Sequence, residues 1–172
     1  MTGLLDQPPA AAELPTDGDS FQQVFLGVLV IQPSPFCNLD CDYCYLPNRM
    51  SKTRMEMSTL RKVMERVWES GLVADGFQLL WHAGEPLAVP VHWYEEAFDV
   101  INSFPGARQR ILHTFQTNAT LINDKWCEFI KKHRVEVGVS IDGPAFIHDH
   151  HRKTRSGRGT HDKVMRGVAK LL

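Results

Sequence analysis

Four short apolar runs recur along the chain and predict four β-strands. The first covers residues 24–31 and is apolar apart from one glycine, which is typical of a strand buried on both faces. The other three runs cover residues 77–81, 111–115 and 135–141. Each run is followed by a segment in which apolar residues recur at helical spacing. The alternation of strand and helix predicts an α/β protein with parallel strands and helical crossovers.

Cap residues mark where the predicted helices begin and end. Ser58, Asn123 and Thr160 stand where a side chain could cap the first turn of a helix, and Gly71 could end the first helix. Polar residues collect just after the strands. In parallel α/β folds the carboxyl ends of the strands form the edge where ligands bind. A functional site is therefore expected at that edge.

Composition excludes several classes of protein. The chain has 172 residues, 43% of them hydrophobic, and a net charge of −1. Such near-neutral charge argues against a nucleic-acid partner. No apolar run approaches the ~20 residues of a membrane helix, so no association with a membrane is expected either. Residues 1–20 hold four acids and no Lys or Arg, which predicts a flexible leader and no secretory signal. The cytoplasm is the expected location.

Three of the four cysteines lie within eight residues, in the loop after the first strand. Cys37, Cys41 and Cys44 are spaced so that three thiolates could hold one face of a cubane iron–sulfur cluster, leaving one iron open. Structural zinc lacks an obvious fourth ligand nearby, and a disulfide within the loop would strand one thiol. Cys127 falls on a helical stripe and is expected to be a buried core thiol.

These motifs resemble the radical S-adenosylmethionine (SAM) enzymes. The three cysteines, with Tyr43 directly before the third, are similar to the family's cysteine motif. Residues 81–86 read Trp-His-Ala-Gly-Glu-Pro and are similar to its GGEP element. Residues 116–118, 139–144 and 148–152 are similar to the peptide-modifying branch with a cysteine-rich SPASM tail. Residues 31–33, 44–47 and 81–89 most resemble the Grr-type, cyclophane-forming peptide maturases.

The resemblance implies a fold and a reaction. The fold would be a partial (β/α)6 TIM-like barrel with about four of six units present, so residues 21–172 would form the N-terminal part of a core domain without its last strands and SPASM tail. The three cysteines would bind a [4Fe-4S] cluster, and SAM would bind the open iron. An electron donor such as flavodoxin or ferredoxin would reduce the cluster, and SAM would be cleaved to a 5′-deoxyadenosyl radical.

The implied substrate is a ribosomal precursor peptide, cross-linked between an aromatic ring and a nearby side-chain carbon. One alternative is oxidation of a sulfatase Cys or Ser, as in anaerobic sulfatase-maturating enzymes. Another is an inactive, truncated cluster-binding fragment.

The resemblance also implies roles for single residues around SAM. Glu85 would accept a hydrogen bond from the SAM ammonium. Ala83 and Gly84 would let the backbone approach SAM closely, with strain at Ala83 because the family has glycine there. Ser140 would bind the ribose or carboxylate, and Arg152 would pair with the carboxylate.

Three further residues are expected near the ligands, and two of them also have a structural interpretation. Tyr43 would pack beside the cluster or the adenine. Asn118 could face the cavity or cap its loop, and His82 could contact a ligand or be an ordinary strand-end histidine. Four histidines lie between His148 and His161, where a basic loop is favoured over a second metal site.

Overall fold

The computed structural model describes residues 25–172. The predicted leader, residues 1–20, lies outside the described residues. Four parallel strands form one sheet in the order β1-β2-β3-β4. They are Leu26–Ile31 (β1), Val73–Trp81 (β2), Ile111–Thr117 (β3) and Glu136–Val139 (β4). Each crossover moves the chain by one strand in the same direction, as in a TIM-like barrel, so the predicted α/β class and partial barrel are confirmed.

Within residues 25–172, six helices connect or follow these strands. They are α1 (Met57–Glu69), α2 (Val91–Asn102), α3 (Ala107–Arg110), α4 (Asp124–His133), α5 (Ala145–His151) and α6 (His161–Leu171). A 3₁₀ turn covers Pro86–Ala88. The sequence patterns missed α3, α5 and this turn, because each is too short to show a helical period.

The predicted caps have mixed outcomes. Asn123 caps α4, since its Oδ1 accepts a hydrogen bond from the Trp126 N–H at 3.1 Å. The prediction that Ser58 caps α1 is wrong, because the helix already begins at Met57. Its N-cap residue is Glu56, which makes no capping hydrogen bond through its side chain. Thr160 precedes α6, but Asp149 Oδ1 accepts the N–H groups of Thr160 and His161 at 2.6 and 2.8 Å. The cap of α6 is therefore supplied from a distant residue.

One face of the sheet carries the hydrophobic core. Trp81 and Phe115 are fully buried there against side chains of α2 and α4. The Trp81 ring stacks on Phe98 with centroids 6.1 Å apart and meets Tyr94 edge-on at 5.2 Å. Such aromatic pairs add to the stabilisation from apolar burial.

The opposite face of β1 is open in residues 25–172. Val28 and Val30 are 47% and 55% exposed, whereas Ile31 is buried. The prediction that β1 is buried on both faces is therefore wrong for the described chain. Successive side chains alternate across a strand, and the core cluster contacts only the face that carries Leu29 and Ile31.

Within residues 25–172, no helix is both long enough and apolar enough to span a lipid bilayer.

Candidate functional site

A single cleft at the carboxyl ends of the strands brings all eleven predicted site residues together. They are Cys37, Cys41, Tyr43, Cys44, His82, Ala83, Gly84, Glu85, Asn118, Ser140 and Arg152. Leu39, Tyr45, Leu46 and Thr117 also line the cleft and were not predicted. Each lies within two residues of a predicted site residue in the sequence, and this was the one signal that could have found them.

The loop that carries the three cysteines is held from both ends. The Cys37 N–H donates to Arg49 O at 3.0 Å, which closes the loop upon itself. The Asp40 N–H donates to Lys153 O at 2.8 Å, and Leu39 forms an antiparallel bridge with Thr154. The buried Leu39 side chain anchors this contact. The segment after α5 therefore fixes the cysteine loop, although the two are more than 100 residues apart in sequence.

The three cysteines of the loop are free thiols, of which Cys37 is partly buried and Cys41 is buried. Burial raises the pKa of Cys37 to about 11 and raises the pKa of Cys41 as well. A metal that binds these sulfurs must displace their protons. The Leu39 N–H donates to Cys37 Sγ at 3.4 Å, and the Asn118 amide lies 3.9 Å from the same sulfur. Both donors stabilise charge on Cys37.

The residues fit an iron–sulfur cluster better than a single zinc ion. Among residues 25–172, no three His, Cys, Asp or Glu side chains converge on a position that could hold one metal ion. In a cubane cluster each thiolate binds a different iron, so the sulfurs stand further apart. His82 Nδ1 is buried beside the cleft and has no hydrogen-bond partner among the described residues. An orphaned polar atom at this place suits a polar ligand in the cleft.

The turn after β2 is built on two consecutive left-handed residues. Ala83 has φ +71°, which confirms the strain predicted there, and Gly84 has φ +66°. A Cβ atom on Gly84 would lie 2.6 Å from Ser34 O and 2.7 Å from Phe36 O. The Glu85 N–H donates to Phe36 O at 2.7 Å. The turn therefore packs closely against the backbone that leads into Cys37.

Glu85 joins the ends of two strands through its buried carboxylate. Oε1 accepts from the Leu87 N–H at 2.9 Å and the Thr117 hydroxyl at 2.6 Å, while Oε2 accepts from the Asn118 N–H at 2.8 Å. Burial raises the pKa of Glu85 against the opposing effect of these donors. Three of the roughly four acceptor positions of a carboxylate are thus filled by the protein. Binding of the SAM ammonium stays a prediction.

Arg152 is oriented by the carboxylate of Asp142. Asp142 Oδ2 accepts from Arg152 Nε at 2.9 Å and from the Tyr43 hydroxyl at 2.6 Å. The guanidinium lies 5.4 Å from the centre of the Tyr43 ring. Burial opposes ionisation of Asp142, but these two hydrogen bonds outweigh it and lower its pKa. The cationic Arg152 is thereby held at the cleft.

Ser140 and Asn118 are fixed by neutral hydrogen bonds. Ser140 Oγ accepts from Gln116 Nε2 at 2.9 Å. The Asn118 amide donates to Asn38 Oδ1 at 2.9 Å, and its Oδ1 accepts from the Thr120 N–H at 3.0 Å. Asn118 therefore ties the end of β3 to the cysteine loop while it lines the cleft.

His148 is a buried structural residue. Its Nδ1 accepts from the Asp142 N–H at 3.4 Å, and its Nε2 lies 3.0 Å from the Thr160 hydroxyl. That hydroxyl donates to Arg152 O at 2.7 Å, so Nε2 must be the donor and the ring is neutral. The chain of bonds positions Asp142 and Arg152 relative to each other. The stretch predicted as a basic loop is thus partly the helix α5.

Cys127 lies apart from the cleft. It packs against the hydrophobic core and is half-buried rather than fully buried, and its sulfur donates to Lys170 O at 3.4 Å.

The sheet order and the site together define a class of protein: a parallel βα barrel-type fold that presents three thiols at the carboxyl ends of its strands. The chain belongs to the radical SAM superfamily, whose family model matches residues 31–172. Members of this family use a [4Fe-4S] cluster and SAM.

Similarity to individual proteins extends over most of this chain. An uncharacterized protein from Synechocystis sp. is 43% identical over 172 residues, covering 98% of this chain and 43% of that protein. A serine-type anaerobic sulfatase-maturating enzyme from Bacteroides thetaiotaomicron is 35% identical over 149 residues, covering 83% of this chain and 36% of that enzyme. The chain therefore spans less than half the length of these curated relatives.

A solved structure shows the same fold. The structure of native anSMEcpe with bound AdoMet and Cp18Cys peptide aligns with a TM-score of 0.72 and 31% identity. The alignment covers 84% of this chain and 39% of that one.

Proposed function

We propose that this chain carries the cluster- and SAM-binding machinery of a radical SAM enzyme that modifies a ribosomally made peptide. The observation that carries the proposal is the single cleft that joins the three cysteines to the ends of β2, β3 and β4. Family membership supplies the cofactors. The relatives and their bound peptide support a peptide or protein substrate.

Cys37, Cys41 and Cys44 would hold the cluster, and the turn at Ala83 and Gly84 would present its backbone to SAM. Bound together, cluster and SAM supply one-electron cleavage of a carbon–sulfur bond and, through it, abstraction of a hydrogen atom from the substrate. Glu85 keeps the turn and the end of β3 in register, because its carboxylate binds both.

Arg152, Ser140 and His82 would fix the orientation of SAM. Arg152 retains donors beyond the Nε that binds Asp142, and a guanidinium suits a carboxylate. His82 Nδ1 would gain the partner that it lacks among the described residues. Tyr43 would close the cleft beside Arg152.

The reaction proposed first is a carbon–carbon cross-link between an aromatic ring and a nearby side-chain carbon of the peptide. Oxidation of a sulfatase Cys or Ser is the second candidate, and identity to the serine-type sulfatase-maturating enzyme favours it. Flavodoxin or ferredoxin would supply the electron, and the cytoplasm would be the site of action.

Anaerobic reconstitution with iron and sulfide, followed by SAM and dithionite, tests the proposal. We expect cluster absorbance and formation of 5′-deoxyadenosine. A chain that binds no cluster, or binds one and never forms 5′-deoxyadenosine, would overturn the enzyme assignment.

The two candidate reactions are separated by the product. Cross-linking and serine oxidation both remove a pair of hydrogen atoms, so the mass change is the same. Only the aldehyde made by oxidation reacts with a hydrazide probe, whereas a cross-linked peptide resists it and yields a cyclic fragment on proteolysis. A hydrazide adduct on a sulfatase peptide would favour the second candidate.

A further inference from the structure

Five cations form a surface, here called the basic face, on the cysteine loop and the segment paired with it. They are Arg49, Lys52, Lys153, Arg155 and Arg158. Lys153 and Thr154 pair with Asp40 and Leu39 of the loop, and a turn joins Thr154 to Arg158. Lys52 lies over the ring of Phe36, the residue before Cys37, at 5.5 Å. The five cations therefore lie on the cysteine loop and on the segment hydrogen-bonded to it.

Two of these cations touch the main chain of the cysteines themselves. Arg155 donates to Cys37 O at 2.8 Å, and Arg49 donates to Cys41 O at 3.3 Å. Both arginines also lie near Asp40, at 3.1 Å from Arg49 and 3.9 Å from Arg155. They are partly exposed, so one side of each guanidinium meets solvent while the other meets a cysteine carbonyl. The basic face therefore lies close to the sulfurs of Cys37 and Cys41.

The basic face is separate from the cleft. None of its five residues lines the cleft that holds the predicted SAM site. Lys52, Lys153 and Arg158 make no ion pair with a carboxylate of residues 25–172, so their charge is free to attract a partner. Met50, between Arg49 and Lys52, is 64% exposed. An exposed apolar side chain between cationic residues is typical of a small, transient interface.

We infer that the basic face is the docking surface for a small, acidic one-electron donor protein of the flavodoxin or ferredoxin class. The inference rests on the proposed function, because only a cluster on the three cysteines would need that electron. One electron leaves the reduced flavin or iron–sulfur group of the donor and enters the cluster, and no bond forms or breaks at this surface. The donor is oxidised by one electron and the cluster is reduced by one.

An electron donor fits this surface better than the substrate peptide does. The substrate must reach the cleft, and the basic face does not line it. The donor must come close to the cluster from outside, and Arg49 and Arg155 contact the backbone of its predicted ligands. Charge complementarity at a small interface speeds encounter and allows rapid release, which suits repeated electron delivery.

The test uses charge reversal at Lys153 and Arg158, whose side chains make no hydrogen bond or ion pair within residues 25–172. The double variant Lys153→Glu/Arg158→Glu is compared with Lys125→Glu/Lys131→Glu, which makes the same charge change on α4. Binding of a bacterial flavodoxin is measured directly at low salt, and 5′-deoxyadenosine formation is measured with flavodoxin and, separately, with dithionite. Circular dichroism checks that both variants fold.

We expect the Lys153→Glu/Arg158→Glu variant to bind flavodoxin about tenfold or more weakly, with a shallower salt dependence. Its flavodoxin-driven rate should fall while its dithionite-driven rate stays at the wild-type value, because dithionite needs no docking surface. The α4 control should match wild type in each measurement.

Wild-type flavodoxin affinity in the Lys153→Glu/Arg158→Glu variant, or an equal loss in the α4 control, would overturn the inference. Weakened binding of an acidic precursor peptide with unchanged flavodoxin binding would assign the surface to the peptide instead. Failure of the proposed function is separate: it would abolish the dithionite-driven reaction in wild type, while the binding measurement would still report on docking.

Discussion

The helix-covered face of the sheet and its carboxyl rim are held together by different forces. On the helix-covered face, Trp81, Phe98 and Phe115 are buried among other apolar side chains, and many small contacts share the stabilisation. At the rim, Glu85, Asp142 and His148 each make a few directed hydrogen bonds. The core should therefore tolerate apolar replacements of similar volume, whereas the rim depends on single atoms.

The core and the rim meet at the end of β2, between Trp81 and His82. Trp81 is fully buried, and its polar atom is satisfied because Nε1 donates to His113 Nδ1 at 3.3 Å. The next residue, His82, leaves Nδ1 without a partner among the described residues. The buried nitrogen of Trp81 in the core has a hydrogen-bond partner, whereas the buried nitrogen of His82 at the rim has none among the described residues. The unpaired Nδ1 of His82 therefore offers a hydrogen-bonding position to a ligand at the rim.

Removing one thiol is the largest change to the rim. Cys41→Ala should abolish the cluster, because two thiolates remain where three irons need one each. The cluster content is measured by absorbance after anaerobic reconstitution and by the EPR signal after reduction. Cys127→Ala, which removes a thiol that packs on the core, should load like wild type. A wild-type EPR signal from Cys41→Ala would refute the ligand assignment.

Adding a methyl group to the turn should show that the rim also carries stability. Gly84→Ala places Cβ 2.6 Å from Ser34 O at φ +66°. We expect a loss of about 2–5 kcal/mol in the free energy of unfolding, from backbone strain and overpacking together. Urea denaturation measures it.

Gly76→Ala is the matched control, since Gly76 has φ +77° and no atom within 4 Å of the added Cβ. It should lose only the strain component of about 1–2 kcal/mol. Equal losses in the two variants would show that the close approach to the cysteine loop contributes nothing.

Changing one atom of Glu85 tests the directed bonds. Glu85→Gln keeps the shape of the side chain but replaces one acceptor oxygen by an N–H₂ donor. That N–H₂ would face another hydrogen-bond donor, from Leu87, Thr117 or Asn118, so at least one hydrogen bond is lost. The free energy of unfolding should fall by about 1–3 kcal/mol. Glu128→Gln on the exposed side of α4 should change it little. If both variants unfold at the same urea concentration, the buried carboxylate does not hold the rim.

The buried imidazole of His113, stacked beside Trp81, should give a pH dependence. Burial lowers the pKa of His113 to about 3 from an ordinary value of 6.5. As pH falls below 6.5 the unfolded chain takes up a proton that the folded chain refuses, so stability is lost progressively toward pH 3. The slope is at most about 1.4 kcal/mol per pH unit. Urea denaturation across this window measures it.

His113→Gln separates this effect from that of the carboxylates. The amide oxygen can still accept the Trp81 N–H, but the side chain does not titrate. The variant should lose less stability than wild type as pH falls through the window. If the free energy of unfolding falls equally with pH in wild type and in His113→Gln, His113 is protonated in the folded state.

Relieving strain at the turn is the smallest expected effect. Ala83→Gly removes the cost of a left-handed alanine, and the greater entropy of glycine in the unfolded chain offsets part of the gain. We expect a net stabilisation of about 0.5–1 kcal/mol. Ala88→Gly, where φ is not positive, should instead destabilise the protein. A destabilised Ala83→Gly variant would show that the methyl group packs usefully at the rim.

Local patterns were sufficient for much of the fold. The alternation of apolar runs and helical stripes predicted four parallel strands, and Asn123 was found as a cap because its partner is three residues away. Contacts between distant residues were missed. Asp149 caps a helix that begins twelve residues later, and Asp142 binds Tyr43 across 99 residues, so neither has a local signal.

The sequence by itself determined the chemistry of this protein: three thiols at a diagnostic spacing and polar residues after each strand. Residue types and spacings are local properties, and the parallel order of strands then gathers their ends at one rim. The tertiary structure alone decided which polar atoms are already occupied, as in Glu85, and which remain open, as in His82. It also placed Arg49 and Arg155 on the cysteine backbone, because hydrogen bonding and burial depend on the distances between residues far apart in the chain.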